Sequence, residues 1–226
     1  MFSVIFEVQP RAEDWETYLG FAQMLRPELV KVEGFVDNVR YRSLTREGWL
    51  LSLSGWRDEK SLIRWRTQAG HHGVQEKGRA GVLADYRLRV GQITADSYVP
   101  EGEKLTEQRF DETETGEGTT VVLVDAQQTA DWVKTTGVEE IAAWLGLDPT
   151  TPGIKGWDVF DAVASSGNVI LLATWRDRGA AEEFAKSVRL PQTGRLRQVR
   201  VIRNYGMFDR REAPQYYPEA RSQRAG

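Results

Sequence analysis

The chain has 226 residues, 40% of them hydrophobic, which fits one large domain or two of ordinary size. Its formal net charge of -3 argues against broad binding to nucleic acid, which needs a strong positive field. There is no cysteine, so disulfides and thiolate metal sites are excluded. Since the N-terminal segment has no basic leader and no apolar run approaches the roughly 20 residues of a membrane span, we expect a cytoplasmic protein without a membrane segment.

The first part of the chain predicts the element order β-α-β-β-α-β. β-Branched and aromatic residues over 2–8 predict a strand, and the apolar spacing that follows predicts a helix interrupted at Pro27. Two further strands come next, and the second of them ends at Trp56. A second helix with weak points at Gly70 and Gly73 and a strand of alternating residues complete the unit.

The second part of the chain repeats the same order, with its second strand entered at Gly156. In both parts the third strand runs into Trp-Arg-Asp, at Trp56 and again at Trp175. Asp58 and Asp177 therefore suit the N-cap of the following helix, where a carboxylate accepts the free backbone N–H groups. This internal repeat predicts two copies of one structural unit.

Each unit has the ferredoxin-like order, an antiparallel four-stranded sheet with both helices on one face. The strands are apolar on both faces, as in "VILLATW", so we expect an α+β fold in which the two sheets pack face to face. Free strand edges would remain for pairing with a second copy of the chain as a homodimer. We expect "APQYYP" to lie across a surface and the last few residues to be disordered. The predicted boundaries are a first domain at 1–98, an acidic linker at 99–117, a second domain at 118–210 and a C-terminal tail at 211–226.

One segment of the first unit carries a family pattern. Its elements are Trp56 at a strand end, Trp65 on the helix, His71, Gln75, Gly78-Arg79 and Asp85-Tyr86-Arg87. Over about residues 2–95 the chain resembles the antibiotic biosynthesis monooxygenase domain family, whose members are dimeric α/β barrels. The second unit keeps Trp-Arg-Asp but lacks the His and the Gly-Arg. The resemblance implies that the tandem ferredoxin-like units form a pseudo-dimeric α/β barrel, with a pocket between each sheet and its helices.

The resemblance also implies a cofactor-independent monooxygenase that acts on a small aromatic or polyketide-like compound. Such a reaction needs a base, donors that stabilise an enolate or phenolate, and an apolar cavity, for which we expect roughly 300 Å³ or more. His71 or His72 is the candidate base, because histidine alone titrates near neutral pH without a large perturbation. Arg79 is the further catalytic candidate, and the candidate substrate-binding residues are Asn38, Trp65 and Tyr86.

The sequence leaves several of these roles open. The family pattern aligns His71, whereas helical spacing from Trp65 favours His72, and "GHHG" also fits a solvated break between two helices. Two adjacent histidines without a third ligand make a poor metal site, so no metal is predicted. Arg79 also suits a salt-bridged cation, and Tyr86 also suits a packing residue with a hydrogen-bonded tip.

Two alternatives to a cofactor-free oxygenase remain. In haem-degrading members of the family the axial His lies about three turns after the helix Trp, and here the residue ten positions after Trp65 is Gln75. That departure disfavours haem, and no cofactor is expected. The second alternative is a non-catalytic protein of the same fold, either stress-associated or binding a small hydrophobic or aromatic molecule. The enzyme hypothesis requires a titratable group in the pocket, whereas the binding hypothesis does not.

Overall fold

The computed structural model describes residues 1–216. The first half contains β1 (Phe2–Pro10), α1 (Trp15–Leu29), β2 (Phe35–Ser43), β3 (Leu50–Trp56), α2 (Glu59–Thr67), α3 (Ala69–Lys77) and β4 (Leu83–Asp96). A 3-10 turn, Ala12–Asp14, precedes α1, and a π-helical turn, Gly78–Val82, follows α3. The second half contains β5 (Thr120–Gln127), α4 (Ala130–Thr135), α5 (Val138–Trp144), β6 (Ile154–Ala162), β7 (Asn168–Trp175), α6 (Arg178–Ser187) and β8 (Arg195–Gly206).

The strands close into an antiparallel barrel in the order β1-β3-β2-β6-β7-β5-β8-β4. The two halves meet at one long junction, between β4 and β8, and at one short junction of three residue pairs, between β2 and β6. This architecture confirms the predicted α+β barrel of two ferredoxin-like units. The strand edges that were expected to pair with a second copy are mostly occupied within the chain, because β4 pairs with β8 and β2 pairs with β6.

The interior of the barrel is an apolar core to which both halves contribute. Its residues lie on the facing sides of the two sheets. Face-to-face packing of the sheets was predicted from strands that are apolar on both sides. Each fully buried aliphatic or aromatic side chain contributes ~1.5–3 kcal/mol relative to an exposed one. The largest contributors include Ile5, Tyr41, Leu51, Leu123, Phe160 and Leu172.

A buried ion network also crosses the barrel between the halves. Arg89 donates to Glu7 at 2.5 Å and to the Thr174 hydroxyl at 2.8 Å. Arg46 contacts Glu7 at 2.7 Å and Asp158 at 2.6 Å. Although burial opposes ionisation of Glu7, the Arg89 and Arg46 guanidinium groups hold the pKa of that carboxyl below its usual value. The sequence indicated strands that are largely apolar on both faces and did not identify the residues of this network.

Two helix features of the first half differ from prediction. α1 continues past Pro27 to Leu29, because a proline in the last turn removes a single backbone hydrogen bond. The second predicted helix breaks at Gln68, whose ψ of 133° starts a new helix and whose side chain accepts from the His71 amide at 3.3 Å. Gly70 and Gly73 lie inside α3, so "GHHG" is helical and not a break.

The second half shows two further differences. The helix predicted after β5 is divided into α4 and α5 at Thr136 and Gly137. Gly156 lies inside β6, next to a register shift, and not at the strand entrance. The predicted N-caps are confirmed, since Asp58 accepts from the Ser61 amide at 2.8 Å and Asp177 accepts from the Ala180 amide at 2.9 Å.

The chain between β4 and β5 lacks regular structure but is tied to the barrel. The Gln108 amide donates to the Gln92 side chain at 2.9 Å, and the Thr113 amide donates to the Val201 carbonyl at 2.8 Å. The segment expected to be disordered lies outside the described residues, as do the last two residues of "APQYYP". Within residues 1–216, no helix combines the length and the apolar character needed to span a membrane.

Candidate active site

A cavity of about 230 Å³ lies between the sheet of the first half and helices α1, α2 and α3. It is smaller than the volume expected from the sequence. A cavity of ~150 Å³ binds benzene, so this one has room for a ring with substituents. Its walls are largely apolar and include Val4, Phe6, Phe21, Leu25, Leu62 and Val90.

The matching space in the second half is filled by side chains. Trp175 stacks on Phe184 with ring centroids 4.9 Å apart, and both are buried. Ile141 and Leu145 are fully buried in the same cluster. Trp56 is buried at the equivalent strand end of the first half, where its indole nitrogen donates to Ser54 at 3.0 Å and the residue lines the cavity.

His71 lines the cavity from the first turn of α3. Its ring stacks on Trp65 with a centroid distance of 4.4 Å, and Nδ1 lies 3.0 Å from the Trp65 carbonyl oxygen. Because a carbonyl oxygen can only accept, we assign the hydrogen to Nδ1, which leaves the lone pair on Nε2. Burial lowers the pKa of His71 to about 4, against the opposing effect of the Trp65 carbonyl. His71 is therefore neutral at physiological pH and can accept a proton.

His72 lies elsewhere. Its Nε2 is 3.5 Å from the carboxylate of Glu76, its side chain is 42% exposed, and it is not among the cavity-lining residues of the described chain. Helical spacing from Trp65 favoured His72 only for an unbroken helix. The break at Gln68 changes the phase of the turn that follows and directs His71 to the cavity instead.

Arg79 and Tyr86, two of the candidate residues, meet at one end of the cavity. The Tyr86 hydroxyl accepts from Arg79 at 2.7 Å and from Arg210 at 2.6 Å. A phenol oxygen has two lone pairs, so its own hydrogen can be donated to a third group. Arg210 follows β8, which means that the second half completes a site in the first half.

Asn38, a candidate substrate-binding residue, lines the cavity on β2. Its Nδ2 donates to the Ser52 hydroxyl and to the Leu53 carbonyl, both at 3.1 Å. Its Oδ1 is buried and has no hydrogen-bond partner among the described residues. In this orientation Asn38 presents an acceptor to a ligand. Trp65, the remaining predicted residue, contributes the surface on which His71 stacks.

Sequence analysis missed most of the positive charge of the cavity. Five arginines line it, whereas its one acidic residue, Glu59, is already paired with Arg109 at 2.7 Å. The cavity is therefore positively charged in a chain of net charge -3. Arg40 lies two positions after Asn38 on the same strand and therefore on the same face, so the sequence could have indicated it. The other missed arginines reach the cavity only because the tertiary fold brings their elements there. The arginines are Arg40, Arg66, Arg79, Arg203 and Arg210.

Comparison with known proteins gives three kinds of similarity. The family model described as antibiotic biosynthesis monooxygenase matches residues 1–77. The jasmonate monooxygenase ABM of Pyricularia oryzae is 48% identical over 225 residues, which cover 97% of this chain and 100% of that protein.

The crystal structure of an aldoxime dehydratase with butyraldoxime superposes with a TM-score of 0.54. It covers 89% of this chain and 79% of that one, and its identity of 11% shows a shared fold alone. A crystal structure of an antibiotic biosynthesis monooxygenase covers 44% of this chain and 100% of its own, with 14% identity and a TM-score of 0.37.

Proposed function

The chain belongs to the antibiotic biosynthesis monooxygenase family, and on that premise we propose that it oxygenates a small, largely apolar carbonyl compound without a cofactor. The relative with 48% identity is named for jasmonate, which is a cyclopentanone with an apolar tail and a carboxylate side chain. We propose a substrate of this class for the present chain. A polyketide-like aromatic substrate, expected from the sequence, is the comparison compound in the test below.

The observation that carries the proposal is the placement of His71 and Tyr86 in one apolar cavity. His71 supplies an Nε2 lone pair, because its Nδ1 hydrogen is held by the Trp65 carbonyl. Tyr86 supplies a hydroxyl hydrogen, because Arg79 and Arg210 occupy its lone pairs. A base and a donor of this kind are what proton abstraction next to a carbonyl requires.

The proposed reaction needs no external reductant. His71 Nε2 takes a proton from a methylene carbon beside the carbonyl, and the Tyr86 hydroxyl stabilises the enolate oxygen by donating to it. The enolate reduces O₂, and a new carbon–oxygen bond gives a hydroperoxide after protonation by His71. Loss of the second hydrogen with cleavage of the O–O bond converts the methylene to a carbonyl and releases water. The substrate supplies all four electrons, one oxygen atom enters the product, and the other leaves as water.

The residues do not fit haem, which supports the cofactor-independent proposal. A haem macrocycle is several times larger than benzene, which by itself occupies a cavity of ~150 Å³. The cavity here measures about 230 Å³. The position expected for an axial ligand is Gln75, an amide that also lines the cavity.

One observation favours a second candidate, a non-catalytic binding protein. Burial lowers the pKa of His71 to about 4, and a base of low pKa abstracts protons less effectively than one near the working pH. The same cavity would then bind a ligand without converting it. Oxygen consumption separates the two candidates.

The test is oxygen uptake by the metal-free, haem-free protein with jasmonic acid and, in parallel, with anthrone. We expect turnover with jasmonic acid, and we expect His71→Gln to lower kcat/KM about 100-fold or more, the usual contribution of a general base. His72→Gln is the matched substitution on the same helix and should change it less than about twofold, because His72 lies outside the cavity. Ligand binding without oxygen uptake in the unmodified protein would favour the binding candidate.

A further inference from the structure

The cavity contains cations that the proposed chemistry does not use. Arg79 and Arg210 are engaged with the Tyr86 hydroxyl, and the carboxylate of Glu59 is engaged by Arg109. Three cavity arginines remain, namely Arg40, Arg66 and Arg203. A guanidinium group that faces an apolar cavity is costly unless an acceptor meets it.

Arg66 is the clearest such case. It lies in the last turn of α2, directly after Trp65, and lines the cavity. Its Nε is buried and has no hydrogen-bond partner among the described residues. The Nε atoms of Arg89 and Arg197 are unpaired in the same way, but those guanidinium groups are paired through another nitrogen. Arg66 differs because it lies in the cavity wall and none of its side-chain nitrogens pairs with a described residue, so a ligand acceptor can meet it there.

Arg203 reaches the same end of the cavity from the second half. It lies opposite Val90 in the β4–β8 pairing, on the same strand face as Tyr205, which is opposite Leu88. Its backbone belongs to the β4–β8 ladder, but its guanidinium makes no hydrogen bond or ion pair with another residue of the described range 1–216. Arg203 acts electrostatically on Asp111, but Arg109 already binds that carboxylate through both oxygens.

Arg203 lies opposite Val90, which packs in the same cluster as Trp65, the residue before Arg66. Both arginines also act electrostatically on Tyr205. Burial raises the pKa of Tyr205 to about 12 and the neighbouring Tyr86 raises it further, whereas Arg66, Arg210 and Arg203 oppose the shift. Tyr205 also packs under Arg210, with 5.2 Å between the guanidinium carbon and the ring centroid. Positive charge is therefore concentrated at the Tyr86–Tyr205 end of the cavity.

Arg40 approaches the cavity from a different strand. It lies on β2, and β3, β1 and β4 separate that strand from β8. Arg40 is instead beside Tyr18, whose pKa burial raises and the guanidinium opposes.

We infer that Arg66 and Arg203 form a carboxylate-binding end of the cavity, which makes the protein selective for free monocarboxylic acids with an apolar body. A guanidinium pairs with a carboxylate through two parallel N–H···O bonds, and such pairs are strong in a cavity that excludes water. The remaining walls are apolar and match a ring or tail. This inference rests on the proposed function only in taking the cavity as the substrate site.

The test compares the binding of jasmonic acid with that of methyl jasmonate by isothermal titration calorimetry. The ester has the same ring and tail but no negative charge. We expect the acid to bind about tenfold or more tightly than the ester in the unmodified protein, the usual effect of a charged hydrogen bond. Arg66→Gln and Arg203→Gln should each weaken acid binding about tenfold and leave ester binding within about twofold.

Arg64→Gln is the matched control, because Arg64 lies on the outer face of α2 beside Glu33, at 3.4 Å. It should retain the acid-to-ester ratio of the unmodified protein. Arg203→Lys keeps the charge but not the fork of donors, so it should retain part of the preference even if Arg203→Gln folds poorly. Equal affinities for acid and ester, no binding of either, or an unchanged ratio in both Gln variants would overturn the inference. Because the titrations are run without O₂, and therefore without turnover, a protein that prefers the acid but consumes no oxygen would refute the oxygenase proposal alone.

Discussion

The pKa of His71 is set mainly by the burial of its ring. In the folded chain burial lowers it to about 4, whereas an unfolded chain has a histidine pKa near ~6.5. Between these values the unfolded state binds more protons than the folded state. The stabilising effect of a neutral His71 is therefore complete above about pH 6.5 and is lost as the pH falls toward 4.

We expect the free energy of unfolding to fall between pH 7.5 and pH 5 partly because of this residue. In His71→Gln, which cannot be protonated, the decrease should be smaller, and urea denaturation at the two pH values measures it. His72→Gln should keep the decrease of the unmodified protein, since that side chain is largely at the surface. An identical decrease in the unmodified protein and in His71→Gln would show that His71 is not neutral by burial.

Several first-half residues that line the cavity were candidates from the sequence, whereas Arg40, Arg66 and the arginines of the second half were not. Trp65, His71, Arg79 and Tyr86 belong to one contiguous unit, where family pattern and spacing predict the face on which each lies. Arg210 contacts the hydroxyl of a residue 124 positions earlier in the chain. That contact depends on the β4–β8 register, which contains two irregularities and cannot be derived from periodicity.

At the scale of elements, the Trp-Arg-Asp repeat marks two helix starts that use the same cap. Asp58 accepts from the amide and from the hydroxyl of Ser61, both at 2.8 Å. Asp58→Ala should lower the free energy of unfolding by ~1 kcal/mol, because the amides of the first turn lose their acceptor. Asp177→Ala should act in the same direction, since Asp177 accepts from the Ala180 amide.

The control for these caps is Asp131→Ala. Asp131 also lies in the first turn of a helix, but it is almost fully exposed, and its ion-pair contact with Lys134 is 3.7 Å. It caps no described amide, because Thr129 has that role in α4. Urea denaturation should separate the cap variants from this control. A loss at Asp58 no larger than the loss at Asp131 would contradict the capping role.

Element order was predictable, whereas element boundaries were less so. Hydrophobic periodicity and the repeat gave β-α-β-β-α-β twice, and this order is observed. Local propensity failed where packing or capping outweighed it: Gly70 and Gly73 remain helical because the Gln68 cap starts α3 before them. The cost of a glycine in a helix is only ~1 kcal/mol, which tertiary contacts readily offset.

At the scale of the whole molecule, the buried ion network joins the two halves. Glu7→Gln would leave Arg89 buried with its charge uncompensated, and breaking a buried pair in this way costs ~3–5 kcal/mol. Because the network links Arg46 to Asp158 in the other half, we expect one cooperative unfolding transition at a lower midpoint. Thermal and urea denaturation followed by circular dichroism measure both features.

Glu33→Gln is the comparison for this variant. Glu33 also pairs with an arginine, Arg57 at 3.0 Å, but on the surface, where ion pairs contribute little. Its unfolding midpoint should stay close to that of the unmodified protein. Two separate transitions in Glu7→Gln would show that the halves unfold independently.

The duplication itself was visible in the sequence, and so was the difference between its copies. The second half lacks the His and the Gly-Arg of the first, and its corresponding space is filled around Trp175 and Phe184. The charges inside the barrel were not predictable, because Glu7 and Arg89 sit in strands whose alternation also suits a solvated face. Only the closed barrel places those faces together.

The filled space around Trp175 has a consequence for stoichiometry. In a homodimer built on a two-fold axis, every substitution is made twice, and each subunit carries the same pocket. Here the two structural units belong to one chain and differ in sequence. The cavity of the first unit can therefore change in evolution while the corresponding space of the second unit stays filled. We therefore expect one ligand per chain, because within residues 1–216 the matching space of the second half is filled by side chains.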